Sequence, residues 1–273
     1  MDDVDRFLLE DLGKEGDITS EALFTKEEIT AVIIAKEDCI LAGMEEAITI
    51  FSKTGACIHP KILDGEAVKS GDVIAEINGA ARAILKAERL ALNYIGRMSG
   101  IASETYKLVQ KCHAMNHKVV IAATRKTTPG FRKYEKKAVR IGGGIPHRLG
   151  LFDEVMIKDN HLKICGSVEQ AIQKIKEKTH GKIIEIEVEN KQDARTAACC
   201  GVDVIMIDNK APDEAQEIAE VIRNISPHIT IEISGGITEK NIMQYARFAD
   251  RISLGYLTHS VKSMNFSLEV TNF

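Results

Sequence analysis

From residue 118 onward the chain keeps one rhythm. Short β-rich runs, "VVIAAT", "EVMIKD", "IIEIEVE", "VIMIDN", "TIEISG" and "RISLG", alternate with amphipathic stretches. Those stretches include "SVEQAIQKIKEKT", "KQDARTAACCG", "PDEAQEIAEVIRNI" and "TEKNIMQYARF". Near-continuous apolar strands separated by helices require a parallel sheet covered by helices. Roughly six or seven such units close more readily into an α/β barrel than into a small open sheet. No G-x-G-x-x-G follows the first run, which counts against a dinucleotide-binding sheet.

The first hundred residues read differently, as α+β. "VDRFLLEDLG" is a short amphipathic helix, and "TAVIIAKEDCILAG" gives two strand-like runs. "LDGEAVKSGDVIAEING" has strand–turn chemistry, with Gly65, Gly71 and Gly79 as punctuation. A long helix follows from about Ala81, with Ile84, Ala87, Ala91, Tyr94, Ile95 and Met98 at helical spacing.

The runs end in polar residues. "VVIAAT" leads into Arg125 and Lys126, and "EVMIKD" carries Lys158, Asp159, Asn160 and His161. "IIEIEVE" carries Glu185, Glu187 and Glu189, and "VIMIDN" ends in Asp208 and Asn209. "TIEISG" leads to Ser234, Gly235 and Gly236, and "RISLG" to Ser253 and Gly255. In a parallel barrel the C-terminal strand ends build the catalytic face, so these residues are expected at one mouth. One half is cationic (Arg125, Lys126, His147, Arg148, Lys158), suited to carboxylate and phosphate. The other half is anionic (Glu187, Asp208), with hard oxygen donors suited to Mg²⁺ carried by a polyphosphate. Alternation puts Glu185, Glu187 and Glu189 on one face of the strand. They cannot all stay charged and unpaired inside a barrel, so some must pair with cations or bind metal.

The segment from Arg125 to Arg148 holds eight Lys or Arg residues against a single acid, Glu135. The chain's net charge is -4, so this is a local site and not the field of a nucleic-acid binder. "FRKYEKKAVR" reads as a helix with Lys133, Lys136, Lys137 and Arg140 available to a solvated face. "IGGGIPH" lets the backbone approach a ligand and sets His147 and Arg148 beside it, although the glycines also suit a plain helix C-cap. "ISGGI" and "SLGYLTHS", at the last two strand ends, suit a phosphate. No apolar run spans a membrane, and the acidic "MDDVDRFLLEDLG" lacks a signal-peptide layout. Six cysteines, at positions 39, 57, 112, 165, 199 and 200, form no C-x-x-C pair. They are expected to be reduced, mostly buried thiols of a cytoplasmic protein without structural zinc.

Several of these motifs together resemble the quinolinate phosphoribosyltransferases, the carboxylating nicotinate-nucleotide pyrophosphorylases. They are "ATRKTTPGFRKYEKKAV", "GGGIPHRLGL" and "IKDNHL", joined by "EGDITSEAL", "ERLALNYIGRMSGIAS", "EIEVEN", "IMIDN", "ISGGI" and "SLGYLTHS". The match covers nearly the whole chain in order. It implies an N-terminal α/β sandwich (residues 1–107), an incomplete, seven-stranded α/β barrel (108–255) and a C-terminal segment (256–273) that packs back on the first domain.

The implied reaction joins quinolinate to phosphoribosyl pyrophosphate, with Mg²⁺, to give nicotinate mononucleotide, pyrophosphate and CO₂. By resemblance, Thr124, Arg125, Lys126, His147, Arg148 and Lys158 contact substrate. Glu187 and Asp208 sit by the ribose and metal, and Lys126 and Lys158 join them as catalytic residues. Ser234, Gly235, Gly236, Ser253, Leu254 and Gly255 form the phosphate loops. Arg97 resembles a residue lent by the neighbouring subunit of a homodimer, with further assembly to a hexamer as an alternative. Pro146 stands where the family usually has Asn. "PHRLGL" thereby also resembles a molybdenum-transport-linked paralogue with another substrate. A non-catalytic anion-binding barrel is the remaining alternative.

Overall fold

The computed structural model describes residues 2–272. It divides into two compact units. The first holds the chain up to Tyr106, Arg140–Gly142 and the segment from Ser260 onward; the second holds Lys107–Val139 and Gly143–His259.

The chain opens with helix α1 (Asp3–Leu12), started by a capping box in which Asp2 and Asp5 each accept the other's backbone N–H. Then come α2 (Ile18–Leu23), β1 (Glu28–Ala35), β2 (Cys39–Ile40) and α3 (Met44–Thr54). β3 (Cys57–Pro60), β4 (Ala67–Val68), β5 (Val73–Ala80) and α4 (Ala81–His113) follow. Residues of β1 alternate between exposed or intermediate and buried, with Ala31, Ile33 and Ala35 fully enclosed, as a half-covered antiparallel strand requires. Ala47, Ile50 and Phe51 of α3 and Ile84, Ala87, Ala91 and Ile95 of α4 are buried in the same unit. This sheet with helices is the α/β sandwich expected of the first domain.

The second unit runs through β6 (Val120–Ala122), α5 (Arg132–Ile141), β7 (Val155–Ile157), α6 (Asp159–Cys165) and α7 (Val168–Lys178). It continues with β8 (Ile184–Val188), α8 (Lys191–Cys199), β9 (Val204–Asp208) and α9 (Pro212–Ile225). β10 (Thr230–Ser234), α10 (Ile242–Ala246), β11 (Arg251–Ser253) and α11 (Tyr256–His259) complete it. A last strand, β12 (Phe266–Asn272), pairs antiparallel with β1 in the first unit.

Six parallel strands form one sheet in the order β6-β11-β10-β9-β8-β7. The seventh position of the barrel is a single parallel bridge, Ala122 to Ile145. Among the described residues no ladder joins Ile145 to β7, so the barrel is open there.

The outward residues Ile186, Val188, Ile205, Ile207, Ile231, Ile233 and Ile252 share a core with Ala194, Ala197, Ala215, Ile218 and Ile222 of the covering helices. All six cysteines are free thiols, but only Cys39 and Cys112 are buried. Cys57 and Cys199 are exposed, which corrects the expectation of mostly buried thiols.

Candidate active site

The period of two that sends the isoleucines outward sends their neighbours into the barrel. Glu187 is in register with Met206, and Asp208 with Ser234. Thus Lys158, Glu187, Asp208, Ser234 and Ser253 all come to the C-terminal rim. They line one cavity of about 430 Å³ together with Thr124, Arg125, Lys126, His147, Arg148, Gly235 and Gly236. Met156, Met206, Asn209 and Glu232 complete much of its wall.

The cationic side is held by two loops. The first follows β6: the Lys126 N–H donates to Thr124 Oγ1 (3.1 Å), and Thr258 Oγ1 donates to the Lys126 carbonyl (2.7 Å). Arg125 Nε is buried without a hydrogen-bond partner. The second loop carries His147 and Arg148. Arg148 is 5% exposed, and its Nη2 meets only a thioether, Met156 Sδ at 3.1 Å. Burial, and then the Arg125 charge, push the Arg148 guanidinium down from its ordinary pKa, against the pull of Glu185 and Glu154. Among the described residues neither arginine forms an ion pair with a carboxylate.

Acids hold the other side and the floor. Glu187 is ion-paired with Lys158. The Asp208 carboxylate accepts from Asn209 Nδ2 at 2.5 Å. Below them, Glu185 and Glu232 are fully enclosed. His147 Nε2 lies 3.2 Å from Glu185 and 3.5 Å from Glu232, and Arg251 pairs with both acids. Ser253 Oγ donates to Glu232.

Burial works against a charge on His147, but the two carboxylates prevail and push it up to about 9. The Arg148 N–H donates to Nδ1 at 2.7 Å, so the neutral ring keeps its proton on Nε2, facing the acids, and a second proton on Nδ1 requires that bond to open. Burial pushes Glu185 up. Burial acts on Glu232 as well, but His147 and Arg251 hold it below the ordinary value. His147, Glu154 and Glu185 bring ligand-type atoms within 4.8 Å of one another. Arg148 occupies Nδ1 and Arg251 holds Glu185, so this floor suits protons and ion pairs better than a metal. Hard oxygen donors open to the cavity come from Asp208 and Glu187, and among the described residues Asp208 has no ion-pair partner.

Two non-glycine residues of this rim, His147 and Asn209, have φ of 53°. Left-handed backbone at a bulky residue marks a conformation imposed by its surroundings. Gly235 (φ 85°) meets the second of them. A Cβ there would lie 2.7 Å from the Asn209 backbone nitrogen, so only glycine fits.

Several expected site residues lie elsewhere. Leu254 is enclosed in the core, and its N–H is bonded to the Ala122 carbonyl, so it offers no phosphate contact. Gly255 accepts from Thr258 behind the Lys126 side chain and does not line the cavity. Arg97 lies in the first unit, lining a separate pocket with Arg89 and Asn93, and donates from Nη1 to the Val261 carbonyl at 2.8 Å. Glu189 lies beyond β8 and is exposed.

Lys136 was expected on a solvated face but is 1% exposed. Helical spacing shows which residues share a face and not what covers it; here both cationic loops cover it. Sequence reasoning missed Glu232, Arg251, Met156 and Met206 as parts of the site. Their signal is position: Met156, Glu185, Met206, Glu232 and Arg251 each stand two residues before a rim residue, and so below it on the same strand face.

Two family models match, the quinolinate phosphoribosyl transferase N-terminal domain over residues 17–99 and the C-terminal domain over residues 101–269. A relative from Archaeoglobus fulgidus is 44% identical over 93% of this chain and 98% of its own length. One from Bacillus subtilis is 42% identical over 98% of this chain and 92% of its own. Both are named probable nicotinate-nucleotide pyrophosphorylase [carboxylating]. The solved nicotinate-nucleotide pyrophosphorylase of Francisella tularensis superposes with a TM-score of 0.92 at 35% identity, covering 98% of this chain and 94% of that one.

Proposed function

This chain belongs to the quinolinate phosphoribosyl transferase family, and on that premise we propose how its barrel performs phosphoribosyl transfer from phosphoribosyl pyrophosphate to quinolinate. The products are nicotinate mononucleotide, pyrophosphate and CO₂, a step of NAD biosynthesis. Neither the molybdenum-linked paralogue nor a non-catalytic barrel is favoured. One observation carries the reading: two arginines without carboxylate partners, Arg148 buried and Arg125 half-buried with its Nε enclosed, face a cavity whose opposite wall is acidic. Buried guanidinium groups without counter-charges call for an anionic ligand. Their number matches a dicarboxylate.

Arg125 and Arg148 hold the two carboxylates, with His147 beside them. Lys126, Ser234, Gly235 and Gly236 receive phosphate groups of the donor. Glu187 and Asp208 stabilise the positive charge that develops on the ribose as pyrophosphate departs. The pyridine nitrogen then forms the bond to C1′, and no enzyme-bound intermediate is needed. The ring nitrogen, now cationic, draws in the electron pair of the adjacent C–CO₂ bond. CO₂ leaves, and the ring carbon takes up a proton. Asp208, with Glu187, would hold a Mg²⁺ ion carried by the pyrophosphate, and the ion would neutralise charge on the leaving group. Lys158 holds Glu187 through their ion pair at the cavity wall.

The working unit we infer is a cytoplasmic homodimer in which Arg97 serves the partner's barrel; a hexamer would be three such dimers. No helix among the described residues is long and apolar enough to cross a membrane. The test of function mixes purified protein with quinolinate, phosphoribosyl pyrophosphate and Mg²⁺. Equal amounts of CO₂ and mononucleotide are expected. Mononucleotide formed from nicotinate without CO₂ would overturn the reading.

A further inference from the structure

The two cation-bearing loops are tied to the same helix by neighbouring residues. Glu135 of α5 is fully enclosed. It accepts from the Thr128 N–H at 3.0 Å and the Thr128 hydroxyl at 2.9 Å. Arg132 Nε adds a bond to Thr127 Oγ1 at 2.9 Å. These contacts pin the loop that begins at Arg125. Lys136, the next residue, points to the other loop: its Nζ donates to the Pro146 carbonyl and to the Arg148 carbonyl at 2.7 Å.

Lys136 has no carboxylate partner among the described residues. A buried ammonium satisfied by carbonyls alone is costly, and an apolar side chain of the same length would fill the space without that cost. What the ammonium supplies is geometry. Carbonyls two residues apart converge on one nitrogen. The chain between them must turn sharply, and His147 takes the left-handed φ of 53°. That turn presents His147 to the floor acids and sends Arg148 into the cavity. Position 146 takes part through its carbonyl, so Pro146 serves with no N–H of its own.

We propose that Glu135 and Lys136 are positioning residues that fix the spacing of Arg125 and Arg148, and so select a ligand with two carboxylates over one with a single carboxylate. This rests on the function proposed above, whose arginines they set. Neither residue lines the cavity. Both act through the loops.

The experiment compares the wild type with Lys136→Met and Lys136→Gln, and repeats Lys136→Met in an Arg148→Ala background. Lys136→Met is expected to raise the KM for quinolinate about tenfold while kcat and the KM for phosphoribosyl pyrophosphate stay within about twofold. Gln keeps one donor and should fall between. In the Arg148→Ala background the added effect should shrink to under about twofold, because the group that Lys136 positions is gone.

Variants that melt earlier but keep the wild-type KM would overturn the proposal, as would effects that multiply in the double variant. If Lys136→Met does not fold, Lys136→Gln and Glu135→Gln carry the same comparison. If the wild type does not consume quinolinate, the functional reading fails. Calorimetric titration with phthalate against benzoate then tests the positioning claim alone: loss of the preference for phthalate in the Lys136 variants supports it, and an unchanged preference refutes it.

Discussion

Arg148 is almost wholly enclosed and has a thioether where an acid would be expected. Nicotinate, with one carboxylate fewer than quinolinate, should leave one of the two arginines unpaired. Its binding should be weaker by about a hundredfold or more, read by calorimetric titration; equal affinities would remove the arginine pair from the dicarboxylate site. Two neighbouring residues make opposite contributions to stability as pH changes. Burial first, then Arg132, Arg125 and Arg148 against an opposing Asp153, push Lys136 from 10.5 down to about 8. Between those values the unfolded chain keeps a proton that the folded chain has lost, so Lys136 favours folding more as pH rises through that window. Below about 8 the cost of burying its charge stands in full. His147 runs the other way. Its folded value of about 9 lies above the ordinary 6.5, so its stabilisation is complete below 6.5 and is lost as pH rises through 9. Comparison with Lys136→Met cancels the histidine. The melting temperature of the wild type should gain a few degrees on that variant between about pH 7.5 and 10. A constant difference would show that Lys136 titrates in the ordinary range.

At the level of elements, each barrel strand carries an apolar code outward and a polar code inward. Much of the fold was legible for that reason: the outward isoleucines of β8, β9 and β10 sit at period two, and helical stretches separate the strands. The rim was legible too, since Lys158, Glu187, Asp208, Ser234 and Ser253 end apolar runs and meet in one cavity. The layer beneath was not. Glu232 and Arg251 look like isolated charges in short strands, and only register, Glu232 opposite Arg251, reveals a pair. α5 was misread for a related reason. Its consecutive residues Tyr134, Glu135 and Lys136 are all buried, which no single amphipathic face allows. The loop after β10 is the element most sensitive to one added atom. Gly235→Ala would place a methyl group 2.3 Å from Asn209 Oδ1 in a backbone conformation that L residues avoid. The loop must shift from its present position. The KM for phosphoribosyl pyrophosphate should rise about tenfold or more, while calorimetry finds quinolinate binding within about twofold of the wild type. Equal weakening of both ligands would mean that the loop does not serve the phosphate.

For the whole molecule the open question is which barrel Arg97 serves. The barrel cavity is lined by residues of the second unit, and Arg97 belongs to the first, where its guanidinium donates to the Val261 carbonyl and lines a pocket with Arg89. Yet the proposed function gives Arg97 a ligand-binding role. A symmetric dimer reconciles the two, because a twofold axis can set each chain's Arg97 at the mouth of the opposite barrel. Two inactive variants decide it, Arg97→Ala and Lys158→Ala. In a mixed dimer, one site combines an intact barrel from the Arg97→Ala chain with the intact Arg97 of the Lys158→Ala chain. The other site carries both lesions. Random exchange makes about half of the dimers mixed, each with one good site, so activity should return to about a quarter of the wild type. If Arg97 served its own barrel, every site in every dimer would carry at least one lesion, and mixing would restore nothing. Mass spectrometry must first show that subunits have exchanged. A silent mixture after confirmed exchange would mean that each chain is complete in itself.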